Sequence, residues 1–198
     1  MMKTIPLIQT NLFKKQSQIA DLFERLNTDK EKTSTVYILD KKGVEKNQPS
    51  LSLHQYTHRW FDTIVDAGCH HVGDVVDVLL AGADIIVLRP FLWREPDFRS
   101  IRDISETKIY LWADLSHNID SLVGSSLFSD ADGLILYADQ LSSPLPFSVR
   151  DQIKTVSASF DADNILVFDP SKKHEKELGL FGLNSLIVNV DELVDVYE

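Results

Sequence analysis

The stretch Phe61–Pro90, FDTIVDAGCHHVGDVVDVLLAGADIIVLRP, holds a complete strand–helix–strand unit. "DTIVDAG" (62–68) is continuously apolar through its middle, which marks a strand covered on both faces rather than one with a solvent side. "VGDVVDVLLAG" then sets Val72, Val75, Val76, Leu79 and Leu80 at helical spacing and stops at Gly82. "ADIIVLR" (83–89) is a second buried strand. Each strand closes on a charge, Asp66 on the first and Arg89 on the second.

The same unit recurs along the chain. Apolar runs stand at 4–9 (TIPLIQ), 35–40 (TVYILD), 108–114 (KIYLWAD), 131–139 (ADGLILYAD), 164–169 (NILVFD) and 185–190 (SLIVNV). Helical patterns lie between them. "KKQSQIADLFERLN" spaces Ile19, Leu22, Phe23 and Leu26, and "NIDSLVGSSLF" opens on Asn118 as a cap. "PFSVRDQIKTVSASF", "SKKHEKELGLFG" and the terminal "DELVDVY" continue the series, with short helices after Ser50 and after Pro96. Eight strand–helix units in 198 residues predict a single-domain α/β protein spanning 1–198, a small (β/α)8 barrel. The rival is an open doubly wound sheet, which usually carries a glycine-rich phosphate turn after its first strand. Here that turn is "IQTNLFKK", without glycine.

In such a barrel the site forms at the C-terminal strand ends. Those ends read Gln9, Asp40, Asp66, Arg89, Asp114, Asp139, Asp169, then Asn189 with Asp191. Crowded carboxylates repel one another unless a cation, an arginine or solvent compensates, so this rim suits a cationic ligand or acid–base work by paired aspartates. Aspartate also caps the helix that follows a strand. Asp169 and Asp191 read as caps or turn formers, Asp40 and Asp139 fit either role, and Asp66 and Asp114 read as site residues. Arg89 needs a partner on a neighbouring strand, Asp66 or Asp114. A structural ion pair and an anion-binding arginine are both open.

His70 and His71 are adjacent and cannot share one helical face, so at most one of them reaches the rim. His117, three residues after Asp114, is the better histidine candidate. No zinc-type spacing is present, and the lone Cys69 beside His70 is not a nucleophilic dyad. Trp60, Trp93 and Trp112 read as packing residues, with Trp93 the one placed to line a pocket.

Net charge is −10 and no basic stripe is visible, which excludes a phosphate-tracking nucleic-acid binder. No apolar run approaches the ~20 residues of a membrane helix. One cysteine excludes an intrachain disulfide, and with no signal-peptide pattern the expectation is cytoplasmic. The expected partner is a small-molecule ligand, neither nucleic acid nor membrane, with assembly into a homo-oligomer left open. The sequence specifies no cofactor and no metal ligand set.

Through "VYILDKKGVEKNQPSL" and "FDTIVDAGCHHVGDVVDVLLAGADIIVLRPFLW", the chain resembles the HisA/HisF-like barrels. These include the phosphoribosyl isomerase of histidine biosynthesis and divergent relatives in methanogens and other one-carbon organisms. The resemblance implies a barrel with catalytic aspartates at the ends of strands 1 and 5. Asp114 matches the second, and Gln9 stands where the first belongs. The family's glycine-rich phosphate turns are "DAGCHH", "LRPF", "FDPS" and "NVDE" here, and acidic turns repel phosphate. The resemblance therefore supports the fold and argues against a two-phosphate substrate. It implies a small-metabolite enzyme of isomerase, lyase or synthase type, in one-carbon cofactor biosynthesis. Asp114, Asp66 and Asp40 would do the chemistry, and Arg89, Gln9, His117, Asp139 and His70 would bind. The alternatives are a barrel that has lost catalysis and serves as a binding or scaffold subunit, and a metal-dependent lyase or aldolase.

Overall fold

The computed structural model describes residues 2–12, 15–27, 34–93, 98–117 and 119–190. Its strands are β1 (Lys3–Gln9), β2 (Thr35–Leu39), β3 (Asp62–Asp66), β4 (Ile85–Leu88), β5 (Lys108–Asp114), β6 (Gly133–Tyr137), β7 (Ile165–Phe168) and β8 (Ser185–Asn189). They hydrogen-bond in the order β1 to β8 as a closed barrel, and every pairing described is parallel. This is the small (β/α)8 architecture that the repeating units predict, and it rules out the open sheet. Burial explains the continuous apolar runs: Val36, Tyr37 and Ile38 are successive and all fully buried, so both faces of β2 are covered.

The residues group into two compact units, Leu7–Lys108 and Met1–Pro6 with Ile109–Glu198. In the first, β2 and β3 run in register from Thr35↔Asp62 to Leu39↔Asp66, and β4 follows with Ile64↔Ile85. The helix Gln16–Asn27 buries Ile19 and Leu22 and sets Phe23 against Trp60 and Phe61. In the second, β5, β6, β7 and β8 pair in sequence, and the Lys3 N–H donates to the Asn184 carbonyl.

One device occurs in both units. Asp84, ahead of β4, donates its N–H to the Thr63 carbonyl and accepts the Thr63 N–H at 2.7 Å on its side chain. Asp132, ahead of β6, does the same with Ile109, also at 2.7 Å. Both sit in an Ala-Asp pair, and both satisfy backbone groups at the start of the preceding strand that the ladder leaves over. The "GAD" of the opening stretch is thus a strand-start staple.

Three helix expectations change. Lys41–Lys46 forms a helix that the periodicity does not reveal, capped by Asp40 and ended by Asn47 in the left-handed region at φ 51°. "NIDSLVGSSLF" divides into Ile119–Val123 and Ser126–Asp130, because Ser125 bonds back to the Leu122 carbonyl through both its N–H and its hydroxyl. The helix Val72–Leu80 buries Val75 and Val78, while Leu80 is 75% exposed, so the inward stripe includes Val78 in place of Leu80. The Asn118 cap, the Asp191 turn and the terminal "DELVDVY" helix lie outside the described residues.

Candidate functional site

At the ends of β2, β3 and β4 the charged side chains form two buried networks. Asp40 is fully buried. Its carboxylate accepts the Thr10 hydroxyl at 2.9 Å, the Gly43 N–H at 3.2 Å and the Ser50 N–H at 2.5 Å. The ring of His54, itself buried, brings Nε2 to 3.0 Å from Oδ2, off the line of a directed hydrogen bond. Burial alone would raise the Asp40 pKa, but the His54 contact and the two backbone donors outweigh it and hold the carboxyl at about 2. This carboxylate caps one helix and pins the loop leading to the next, Leu51–His58. Gln9 is half-buried at the end of β1, and it is its neighbour Thr10 that reaches Asp40.

Asp66 is also fully buried. Arg89 forks onto it, with Nε 3.0 Å from Oδ1 and Nη2 2.7 Å from Oδ2, and the Tyr37 hydroxyl donates to Oδ2 at 2.9 Å. Burial and the adjacent Asp66 charge push the Tyr37 phenol well above its usual range. The structure therefore brings Arg89 and Asp66 together as an ion pair, one of the two roles open for this arginine.

The two histidines divide their work. His71 caps the helix Val72–Leu80, its Nδ1 accepting the Asp74 N–H at 3.3 Å while the Asp74 carboxylate accepts the His71 N–H at 3.3 Å. His70 donates its own N–H to Asp74 at 2.8 Å, and its buried Nε2 meets no hydrogen-bond partner among the described residues. Cys69 is buried, and burial together with Asp74 and Asp66 pushes its thiol up to about 12, far from thiolate chemistry.

The ends of β5, β6 and β7 are arranged differently. Asp114 keeps 19% of its side chain exposed and His117 keeps 76%. Asp114 Oδ1 accepts the Ser116 N–H at 2.7 Å and the Ser116 hydroxyl at 2.5 Å. His117 Nδ1 lies 3.1 Å from Asp114 Oδ2 and 2.5 Å from the Ser116 oxygen. Facing two oxygens, Nδ1 is the nitrogen that carries the proton in the neutral ring, so Nε2 keeps its lone pair. Burial would raise the Asp114 pKa, but the Ser116 donors and His117 bring it below the usual carboxylate range. The group is ionised at neutral pH. Asp139 is exposed and stands 3.4 Å from the Tyr137 hydroxyl.

Asp169 and His174, both buried, belong to the turn after β7, where Asp169 Oδ2 accepts the His174 N–H at 2.7 Å. Asp169 Oδ1 and both His174 ring nitrogens lack a hydrogen-bond partner among the described residues.

Sequence reasoning treated Trp112 as packing and passed over Tyr137 and Phe168. The three rings form a row, with centroids 5.3 Å apart from Trp112 to Tyr137 and 5.2 Å from Tyr137 to Phe168. Strand register makes the row: Asp114 pairs with Tyr137, and Tyr137 with Phe168. Trp93, expected to line a pocket, is buried. Among the described residues no group of three or more His, Cys, Asp or Glu side chains is placed to hold a metal ion, and no helix is long and apolar enough to cross a membrane.

No family model matches the chain, and no curated protein matches it. Solved structures do. A single-site mutant of the tryptophan synthase alpha subunit from the hyperthermophile Pyrococcus furiosus aligns at TM-score 0.63 and 15% identity, covering 99% of this chain and 91% of that one. A second mutant of the same subunit aligns at 0.63 and 14%, and the subunit described for its entropic stabilisation at 0.62 and 15%, with the same coverage. At this identity the likeness defines the fold, a (β/α)8 barrel.

Proposed function

We propose that the chain is a small-metabolite enzyme of the (β/α)8 class whose proton transfer is carried by His117, with Asp114 holding its ring. The carrying observation is a contrast in exposure. At the ends of β2, β3 and β7 the aspartates Asp40, Asp66 and Asp169 are fully buried, whereas Asp114 keeps 19% of its side chain exposed and is in contact with a histidine. A carboxylate on Nδ1–H fixes the tautomer and orientation of the ring and leaves Nε2 as the base. The competing structural role, an aspartate closing a tight turn through Ser116, accounts for Oδ1 but not for the imidazole on Oδ2.

This arrangement suits abstraction and return of a proton, the step shared by isomerases and lyases. The HisA/HisF-like resemblance supports the same class and, through its relatives, a polar substrate in one-carbon cofactor biosynthesis. Asp114 stands where that family places its strand-5 aspartate. In this reading Asp40 and Asp66 act as structural carboxylates, and Asp139 contributes to binding. The acidic turn at Asp169 favours a substrate without a phosphate there.

The experiment is incubation of wild-type and His117→Gln protein with a polar-metabolite library, followed by mass spectrometry and by deuterium incorporation from heavy water. Exchange or conversion of a metabolite that falls at least ~100-fold in the variant, with melting temperature retained, supports the proposal. Equal conversion by both proteins refutes it, and no conversion by either points to a barrel without catalysis.

A further inference from the structure

Asp114, Leu115, Ser116 and His117 are consecutive, so their polar groups meet within one turn and need no neighbouring strand. Leu115 is 1% exposed and anchors the turn. The Ser116 N–H donates to the Asp114 carboxylate and the His117 N–H to the Asp114 carbonyl, while the Ser116 and His117 side chains stay exposed. The acid–base reading uses Asp114 and His117 and leaves Ser116 as a turn residue. Yet the Ser116 oxygen lies 2.5 Å from Asp114 Oδ1 and 2.5 Å from His117 Nδ1, and Nδ1 is also 3.1 Å from Asp114 Oδ2.

One placement of the protons satisfies all three contacts. The hydroxyl has a single hydrogen and the ionised carboxylate has none. Were that hydrogen turned toward Nδ1, bare lone pairs would face each other twice, Ser116 Oγ against Asp114 Oδ1 and Nδ1 against Oδ2. Turned toward Oδ1, it lets Ser116 donate to Asp114 and present lone pairs to the ring. The Nδ1–H is then shared between Ser116 Oγ and Asp114 Oδ2. Serine and aspartate meet the same ring nitrogen here. A Ser–His–Asp triad needs them on opposite nitrogens, so Ser116 is not placed as a nucleophile activated by this histidine.

We propose that Ser116 is a positioning residue that locks His117 in the Nδ1–H tautomer and so keeps Nε2 as the free base. A neutral histidine side chain left to itself prefers its proton on Nε2, the wrong nitrogen for this task, and the second acceptor on Nδ1 opposes that preference. When Nε2 takes a proton from a substrate, the electron pair stays with the substrate and the Nδ1–H remains between Oγ and Oδ2. Ser116 also keeps that proton on the ring. Burial would raise the Asp114 carboxyl, but the hydroxyl and N–H of Ser116 lead the groups that lower it, so Asp114 serves as counter-ion and not as proton acceptor. The inference rests on the reading that His117 carries the proton transfer, and it adds the residue that prepares its ring.

The test reads the ring directly and needs no substrate. The intact protein, labelled with nitrogen-15 histidine and with His117 assigned through His117→Gln, is studied by NMR at about pH 9, above the ordinary histidine range. Wild type should carry the proton on Nδ1. Ser116→Ala should move it toward Nε2, and Ser116→Thr, which keeps the hydroxyl, should restore it. A serine that only closes the turn would change the melting temperature and leave the tautomer alone. A wild-type ring protonated on Nε2, or a Ser116→Ala ring still protonated on Nδ1, would overturn the proposal, and the first of these needs no variant to fold. With a converted metabolite in hand, Ser116→Ala should lower kcat about 10-fold with KM unchanged. The two readings separate. A tautomer that follows Ser116 with turnover indifferent to His117→Gln keeps the lock and removes the acid–base role. Turnover that needs His117 and is undiminished in Ser116→Ala does the reverse.

Discussion

Arg89 meets Asp66 as a fork on a fully buried carboxylate, Nη2 at 2.7 Å from Oδ2 and Nε at 3.0 Å from Oδ1, with the arginine side chain only 12% exposed. A buried pair adds little over an apolar substitute, but breaking it strands a charge. Arg89→Met should therefore cost about 3–5 kcal/mol, and Asp66→Leu with Arg89→Met together should cost less than the sum of the two singles. Urea denaturation of the two singles and the double measures this. A loss below ~1 kcal/mol for Arg89→Met would mean that the arginine is held for a ligand and not for the fold.

Asp40 carries a pH dependence whose sign follows from its partners. Its folded carboxyl sits at about 2 against an ordinary 3.8, so its contribution is full above the unfolded value and is lost as pH falls through the folded one. The difference corresponds to roughly 2 kcal/mol at neutral pH. Wild type should lose this stability between about pH 5 and pH 2, and Asp40→Asn should lack that part of the acid transition. Chemical denaturation at a series of pH values decides it. Parallel curves for the two proteins would show that Asp40 does not carry the stabilisation.

Much of the barrel was legible because parallel strands buried on both faces have no alternation to obscure them. That Arg89 needs a carboxylate partner was legible too, since a charge closing the apolar run "IIVL" must find one on a neighbouring strand, but the choice between Asp66 and Asp114 was not. What lay hidden depended on lateral register or on short local signals. Trp112, Tyr137 and Phe168 are far apart in sequence, and only the pairing of β5, β6 and β7 sets their rings in a row. The helix Lys41–Lys46 has almost no apolar periodicity, although its Asp40 cap and Asn47 terminator were there to be read. His54 went unnoticed because nothing in the sequence places that helix against Asp40. His71 was weighed as a rim residue when its nearest duty, capping through Asp74, was local.

Two glycines lock that short helix to the turn after β3. A β-carbon on Gly43 would run into the Ala67 carbonyl, and one on Gly68 into the Val44 backbone, with Gly68 also at φ +65°. Of the phosphate loop expected by family resemblance only Gly68 remains, and packing is what requires it here. Gly68→Ala combines a left-handed backbone with a backbone clash and should cost at least ~2 kcal/mol, and Gly43→Ala a similar amount. Gly124→Ala is the control, since nothing lies within 4 Å of its added carbon. Thermal unfolding of the three variants should rank Gly124→Ala as the mildest by several degrees. If Gly68→Ala melts with wild type, the close approach of helix and turn is wrong.

Asp114 should behave unlike the buried aspartates when it is changed. Asparagine keeps an oxygen to accept the Ser116 N–H, so the turn survives Asp114→Asn, and at a partly exposed site the lost charge costs little. Stability should change by less than ~0.5 kcal/mol, whereas Asp114→Ala should cost about 1 kcal/mol through the stranded turn donors. The His117 ring is where the charge matters. Without a carboxylate on Nδ1–H, the ring loses its fixed tautomer and the imidazolium its counter-charge, so turnover should fall by roughly 100-fold or more. The depressed Asp114 carboxyl also sets the acid limit: any stability it adds is present above its unfolded value and fades as pH drops through its lowered folded one. Activity that depends on its charge should fail in that same acidic range. Melting temperature and conversion are read on the same preparations. A large loss of stability in Asp114→Asn with conversion intact would make this aspartate a turn former and return the β5 strand end to the scaffold.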